Sequence, residues 1–208
     1  MSKGSIECYS EPFPYIIVDN FYSKEDLELI WEELNFLCYS HKFETPGENN
    51  SATMDGGTLK NIPSIFLHRI FNKAEYSNIC LMLNKLMGMM PMIMSYSKSW
   101  FFKNVNITNT SCLLSYYENG GYYKKHKDGG LITILNWFFK EPKVFEGGEL
   151  SFSDYDITIE LKNNRTIIFP SIISHEVSEV KMNNQHLSKK LGRFCITYFI
   201  SNQETLTN

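Results

Sequence analysis

Hydrophobic and polar positions divide the chain into a helical first half and a strand-rich second half. An apolar, β-branched run, PYIIVDNF (14–21), predicts a short strand. Ser23 then stands as an N-cap with Asp26 three residues on, in the arrangement of a capping box. Apolar residues recur at helical spacing after this cap and predict an amphipathic helix over 24–38: Leu27, Ile30, Trp31, Leu34 and Leu37.

A second helical pattern follows a polar interval. Residues 41–61 are rich in Gly, Asn and Thr and predict a long loop or a hairpin, a length that is often functional in a compact domain. Asn72 and Glu75 then predict the cap of a helix over 73–90. Its core face would carry five apolar residues: Ile79, Met82, Leu83, Leu86 and Met90.

Beyond residue 98 the pattern changes to short β-rich runs separated by Gly-Gly, Asn-Asn and Pro turn signals. The runs are SWFF, TSCLLSYY, LITILNWFF, ELSFS, ITIEL, RTIIFP, HEVSEV and RFCITYFI. This density of strands predicts an antiparallel sandwich or jelly roll, backed on one sheet by the two helices. The expected fold class is α+β, mainly β. One domain is expected over 1–208, with a helix-rich part at about 1–95 and the jelly-roll core at about 96–202.

Composition narrows the function classes. The chain has 208 residues, 43% of them hydrophobic and 21% charged, as in ordinary globular proteins. A net charge of −3 gives no general attraction to nucleic acid or to an anionic membrane. Five scattered cysteines without a C-x-x-C pair argue against a disulfide framework and a cysteine zinc site. Together with an N-terminus that lacks an apolar signal region, they predict a cytoplasmic protein.

The candidate chemistry begins with His126 and Asp128. Residues two apart in a strand face the same side, so the imidazole and the carboxylate would project together. His175, which opens a later strand, is the candidate for the third ligand. Two histidines and one carboxylate form the facial triad of non-haem Fe(II) oxygenases, which leaves positions open for a chelating cosubstrate and dioxygen. Arg193, with Cys195 and Thr197 on the same strand face, would bind a carboxylate of that cosubstrate.

These motifs resemble a known family. The pattern Y-x-x-G-x-x-Y-x-x-H-x-D fits Tyr117, Gly120, Tyr123, His126 and Asp128. With His175, EGGEL (146–150), GR-x-C-x-T (192–197) and the opening PFPYIIVDNFYSKEDLELIWEEL, the chain is similar to 2-oxoglutarate- and Fe(II)-dependent dioxygenases of the prolyl 4-hydroxylase type over nearly its whole length.

The resemblance implies a double-stranded β-helix in which His126, Asp128 and His175 bind iron. Arg193 would hold the C5 carboxylate of 2-oxoglutarate, although it follows His175 by more residues than is usual in the family. Lys181, Lys189 and Lys190 are therefore alternative anchors. The resemblance also places four residues along the cosubstrate pocket and one, Tyr123, against the substrate. The four are Tyr117, Thr133, Leu135 and Trp137, the last standing where some prolyl hydroxylases have a tyrosine.

The implied function is a dioxygenase that hydroxylates a prolyl residue in a protein or peptide and releases succinate and CO₂. Its cofactors would be Fe(II), 2-oxoglutarate and O₂, with ascorbate as a candidate reductant. Three alternatives stay open at this point: a hydroxylase of a free amino acid or other small molecule, a non-catalytic jelly-roll binding module, and a zinc hydrolase that uses the same three ligands.

Overall fold

The computed structural model describes residues 4–39, 43, 53, 54, 57–105 and 109–201. Its helices are α1 (Lys24–Tyr39), α2 (Asn78–Ser95) and the short α3 (Trp100–Lys103). The strands before α3 are β1 (Ser5–Tyr9), β2 (Tyr15–Asp19), β3 (Thr53–Met54), β4 (Gly57–Thr58) and β5 (Ser64–Phe66). The later strands are β6 (Asn109–Tyr117), β7 (Tyr123–His126), β8 (Ile132–Phe138), β9 (Phe145–Glu146), β10 (Leu150–Phe152), β11 (Ile157–Ile159), β12 (Arg165–Pro170), β13 (His175–Val177), β14 (Lys181–Met182) and β15 (Arg193–Ser201).

Two antiparallel sheets form the body of the protein. The larger sheet has seven strands in the order β1-β2-β12-β8-β15-β6-β5, and the smaller has four in the order β11-β10-β13-β7. The pairs β9–β14 and β3–β4 form short ribbons. Neighbours in the two larger sheets are mostly far apart in sequence, because the strands cross between sheets as in a jelly roll. The α+β, mainly β prediction is confirmed.

The central strands of the larger sheet are buried on both faces, and alternation along β15 separates two apolar clusters. Phe194, Ile196, Tyr198 and Ile200 point towards the helices and pack with the buried faces of α1 and α2. Cys195 points to the other side, where the inner faces of the two sheets meet. The candidate chemistry lies on this second side.

Helix α1 starts as the sequence predicts. The Ser23 backbone N–H donates to Asp26 Oδ2 over 3.0 Å, and the Asp26 N–H donates to Ser23 Oγ over 3.2 Å, which is a reciprocal capping box. The predicted bounds of the second helix are wrong. A short 3₁₀ turn occupies Ala74–Tyr76, and α2 begins only after Ser77, whose hydroxyl accepts from the Cys80 N–H over 3.0 Å.

Helix α2 also extends beyond the predicted end and continues through Pro91 to Ser95. All five residues predicted for its core face are buried. The SWFF run is not a strand, because the Ser99 hydroxyl accepts from the Phe101 N–H and caps the four-residue helix α3. Most of the predicted 41–61 loop lies outside the described residues. No helix in the described part of the chain is long and apolar enough to cross a membrane.

Candidate active site

The two candidate histidines face each other because strands β7 and β13 pair antiparallel. His126 lies directly opposite His175, and Tyr123 lies opposite Val177. Three residue steps on β7 therefore match two on β13, an irregularity typical of a β-bulge. As a result Tyr123 and His126 turn to the same side, and their rings stack with centroids 3.6 Å apart and an interplanar angle of 10°.

The structure brings the three predicted ligands together. His126 Nε2 lies 3.6 Å from Asp128 Oδ1, and His175 Nε2 lies 3.4 Å from Asp128 Oδ2. One ligand atom from each residue lies within 4.8 Å of the other two. The side chains are 4–9% exposed, so the group is close to the surface but shielded from bulk water.

Backbone carbonyls orient both imidazoles. His126 Nδ1 lies 2.8 Å from the Lys124 carbonyl oxygen, and His175 Nδ1 lies 3.0 Å from that of Ile173. A carbonyl only accepts, so each Nδ1 must carry the proton, which leaves Nε2 as a lone-pair donor. Burial, with the nearby His175, lowers the pKa of His126 to about 4. That histidine is therefore neutral at pH 7, as a metal ligand must be.

A hydrogen bond also orients the carboxylate. Thr133 Oγ1 donates to Asp128 Oδ2 over 2.6 Å, and Ser171 Oγ lies 2.9 Å from Thr133 Oγ1. Two imidazoles and one carboxylate with ordered second partners are the donor set that suits Fe(II) with open positions. A structural zinc site would normally have four protein ligands. The residues present fit an iron site.

A narrow cavity leads from the three ligands to Arg193. It encloses about 420 Å³ between the lining atoms, part of which is open to solvent. Tyr123, Tyr117, Leu135, Cys195 and Thr197 contribute to the wall. The prediction that 193, 195 and 197 share a face is thereby confirmed. Residues that sequence reasoning missed are also part of the lining: Leu113, Ser115, Val177 and Phe199.

Arg193 is fully buried at 0% exposure, at the start of β15 opposite Tyr117. Its guanidinium carbon lies 4.5 Å from the ring centroid of Tyr117 and 5.1 Å from that of Trp137. None of its side-chain nitrogens donates a hydrogen bond to the residues that the structure describes. A buried guanidinium stays charged and carries five donors, so an anion entering this cavity would complete the site. The residues therefore fit a dicarboxylate such as 2-oxoglutarate.

The other predicted residues occupy distinct places. Trp137 and Thr133 are fully buried behind the cavity wall, against Arg193 and Asp128 respectively. The Lys190 ammonium lies 5.4 Å from the centroid of Tyr116, whose ring packs on the helix side of the sheet. Lys181 lies on the ribbon strand β14, and Lys189 is exposed. Among the described residues, Arg193 is thus the cation that lines this cavity.

Comparison with known proteins agrees with this geometry. A model of the 2OG-Fe(II) oxygenase superfamily matches residues 112–201, the segment that contains all three candidate ligands and Arg193. The matched segment is thus similar to the 2OG-Fe(II) oxygenase superfamily. The family implies Fe(II), 2-oxoglutarate and O₂ as cofactors.

Relatives and solved structures extend the likeness. An uncharacterized PKHD-type hydroxylase of Synechocystis is 32% identical over 98 residues, covering 38% of this chain and 32% of the relative. A PKHD-type hydroxylase of Aliarcobacter butzleri is 33% identical over 78 residues, covering 31% and 34%. The chain therefore spans about a third of the length of the curated relatives that it matches.

The fold likeness covers more of the chain. A prolyl-4-hydroxylase of Pseudomonas putida superposes with a TM-score of 0.64 at 14% identity, over 91% of this chain and 92% of that one. The viral collagen prolyl hydroxylase of Paramecium bursaria Chlorella virus-1 gives a TM-score of 0.59 at 16% identity, over 89% and 94%. At these identities the likeness shows the shared jelly-roll fold.

Proposed function

We propose that the protein is a 2-oxoglutarate- and Fe(II)-dependent dioxygenase that hydroxylates a prolyl residue in a protein or peptide. One observation carries the proposal. Three converging ligand atoms and a buried guanidinium without a hydrogen bond to any described residue line one cavity. A metal alone would leave Arg193 unexplained, whereas a chelating dicarboxylate would use both ends of the cavity.

His126, Asp128 and His175 would hold Fe(II), and Arg193 would hold the distal carboxylate of 2-oxoglutarate through its planar fork. Fe(II), 2-oxoglutarate and O₂ bound together supply the chemistry, which is hydroxylation of a substrate C–H bond with release of succinate and CO₂. The chain's own part is to orient these groups and to exclude water. Apolar side chains of Leu113, Leu135 and others provide the dry wall.

Two aromatic rings pack against the guanidinium group of Arg193. Tyr117 and Trp137 lie within cation–π distance of the guanidinium, so its plane is restrained before a ligand arrives. Burial raises the pKa of the Tyr117 hydroxyl, which therefore stays neutral and adds no competing negative charge. These contacts favour rigid recognition of a carboxylate over nonspecific attraction of anions.

A peptide substrate is supported by a second groove outside the ligand cavity. The two share Leu113, Tyr123, Asp128 and Phe199, and the groove continues past Phe66 and the Gly129-Gly130 pair. A Cβ at Gly129 would meet no atom within 4 Å, so the backbone there is open to an approaching chain. The prolyl hydroxylases among the structures of the same fold support the choice of proline.

The test is turnover of a panel of proline-containing peptides with Fe(II) and 2-oxoglutarate, with and without ascorbate. The proposal predicts succinate formation coupled to a mass gain of one oxygen atom on a peptide, and neither product with Asp128→Ala. Oxygen gained on free proline or another small molecule, and on no peptide, would replace the peptide assignment by the small-molecule alternative. A hydrolysed product formed equally well without 2-oxoglutarate would favour the zinc hydrolase.

A further inference from the structure

The Asp128 carboxylate ends a chain of two buried hydroxyls. Thr133 on β8 and Ser171 at the end of β12 are both 0% exposed. Thr133 Oγ1 lies 2.6 Å from Asp128 Oδ2 and 2.9 Å from Ser171 Oγ. Neither hydroxyl lines the cavity described above, so neither is placed to touch a cosubstrate. Their arrangement points to a role that acts through Asp128.

The direction of this chain follows from the number of protons. A metal-binding carboxylate is ionised and only accepts, so the Thr133 hydroxyl must donate to it. That hydroxyl has a single proton, and therefore Ser171 must donate to Thr133 in turn. The result is an ordered sequence from Ser171 to Thr133 to Asp128, in which each step strengthens the next.

Ser171 also fixes the backbone on both sides of the site. Its carbonyl oxygen accepts from the Asp128 N–H over 3.1 Å, and its own N–H donates to the Leu131 carbonyl over 3.1 Å. Four residues later the same segment supplies His175. Ser171 is therefore in contact with the segment that carries Asp128 while belonging to the segment that carries the third ligand.

Close packing at Gly130 permits this junction. A Cβ there would lie 2.8 Å from the Ile200 carbonyl oxygen and 3.2 Å from Ser171 Oγ. A side chain at position 130 would displace either the β15 backbone or the serine hydroxyl. The Gly130 position thus protects the geometry in which Ser171 reaches Thr133.

We propose that Thr133, with Ser171 behind it, is a positioning residue that holds Asp128 Oδ2 and leaves Oδ1 to the metal. This inference rests on the proposed metal site. A carboxylate held in this way coordinates through one oxygen. A carboxylate that turns freely can bind the metal through both oxygens and occupy a second coordination position. The positions left open are those that the cosubstrate and dioxygen require.

The test uses Co(II) as a spectroscopic probe and measures its affinity and its visible spectrum in the wild type and five variants. Thr133→Val should weaken Co(II) binding by about 10- to 100-fold and change the spectrum, as is typical when a metal ligand loses the hydrogen bond that orients it. Thr133→Ser, which keeps the hydroxyl, should restore both the affinity and the spectrum of the wild type.

Thr166→Val is the matched control. Thr166 is also 0% exposed and donates to Asn136 Oδ1 over 2.7 Å, on β12 and β8 but away from the ligands. The Thr166→Val protein should bind Co(II) like the wild type even if its thermal stability falls. A destabilised fold alone therefore cannot produce the Thr133 result.

The outcomes separate this inference from the proposed function. If wild type and Thr133→Val show equal Co(II) affinity and spectra while Asp128→Ala loses binding, the metal site stands and the positioning role is wrong. If the wild type binds no Co(II), both fail. If Thr133→Val does not fold, the other two variants decide. Ser171→Ala, which breaks the hydroxyl chain, should weaken Co(II) binding, and Thr133→Ser, which keeps it, should not.

Discussion

Two buried arginines begin strands of the same sheet, and their surroundings are opposite. Where β12 pairs with β2, Arg165 Nε and Nη2 donate to the two carboxylate oxygens of Asp19 over 2.5 and 2.7 Å, and Nη1 donates to the Glu160 carbonyl over 2.8 Å. In the cavity, Arg193 donates no hydrogen bond to any described residue. One guanidinium is satisfied by the fold and the other is not.

The difference marks Arg165 as a structural cation and supports the proposal that Arg193 binds a ligand. Burying a charge costs several kcal/mol, roughly, unless partners offset it. Arg165 recovers that cost within the folded chain, whereas the rings around Arg193 offset it only in part, by about 2 kcal/mol for a desolvated cation–π contact. The hydroxyls of Tyr22 and Tyr198, on the helix side of the sheet, also have no hydrogen-bond partner among the described residues, but these are neutral groups. An unsatisfied buried charge indicates a ligand far more strongly than an unsatisfied hydroxyl.

The largest expected effect concerns the metal end of the cavity. Asp128→Ala removes one of the three proposed ligands and should lower Fe(II) or Co(II) affinity by more than about 100-fold, beyond the loss typical when only a hydrogen-bond partner of a ligand is removed. Equilibrium dialysis measures this directly. Asp154→Ala, at an exposed aspartate that pairs with Lys125, is the control and should bind metal normally. Equal affinity in both variants would remove Asp128 from the metal site.

The two arginines should respond oppositely to replacement by methionine. Arg165→Met leaves the partly buried Asp19 without its partner and should lower the free energy of unfolding by about 1.5–3 kcal/mol, as when a hydrogen-bonded charge partner is removed. Arg193→Met removes a cation that has no hydrogen-bond partner among the described residues. Without cosubstrate it should therefore leave the free energy of unfolding unchanged or raise it. Urea denaturation compares the two. A large destabilisation in Arg193→Met would show that its cation is part of the fold.

Lowering the pH should weaken the stabilisation that the Arg165–Asp19 ion pair gives to the folded state. The Arg165 guanidinium holds the pKa of the Asp19 carboxyl below its usual range. The pair therefore stabilises the folded state fully above pH about 4, near the unfolded value for Asp, and less as pH falls through the lower folded value. The difference in unfolding free energy between wild type and Asp19→Asn should shrink between pH 7 and pH 3. A difference that stays constant would exclude the ionised pair as its source.

The smallest effect is expected at Ser23, an exposed residue whose hydroxyl accepts a hydrogen bond from the Asp26 N–H. Ser23→Ala removes one half of the α1 capping box and should cost about 1 kcal/mol of unfolding free energy. Ser23→Asp, which can still cap, should cost less. No change in Co(II) affinity is expected in either variant, because α1 packs on the helix side of the sheet.

Short-range spacing in the sequence predicted part of the candidate site. The i, i+2 relation of His126 and Asp128 was predicted from the geometry of a strand, but β7 ends at His126 and Asp128 lies two residues beyond it, where its N–H donates to the Ser171 carbonyl. Helix α1 followed from its cap and its periodicity. The pairing of His126 with His175 required knowledge of sheet order, which the family resemblance supplied and local patterns do not contain. Leu113 and Ser115 could have been found by extending the alternation back from Tyr117 along β6.

Other features could not be predicted because tertiary contacts decide them. Glu33 on α1 accepts from the Ser77 hydroxyl and from the Ile79 N–H over 2.9 Å, and this contact anchors the start of α2 at a point that local capping signals misplace. The same limit applies to Ser171, whose partner Thr133 lies 38 residues earlier. A buried hydroxyl that orients a ligand has the same sequence signature as any small strand residue.

The central claim is that the three ligands and Arg193 form one site for a metal-bound 2-oxoglutarate. Anaerobic titration of the Fe(II)-loaded protein with 2-oxoglutarate tests it most directly through the weak visible charge-transfer band of the chelate. The proposal predicts a saturable band in the wild type and none in Asp128→Ala. Arg193→Met should give the same band only at 2-oxoglutarate concentrations roughly 30-fold higher or more, the equivalent of about 2 kcal/mol or more for a lost buried charge partner. A folded, iron-loaded wild type without a band, or an Arg193→Met protein that saturates like the wild type, would contradict it.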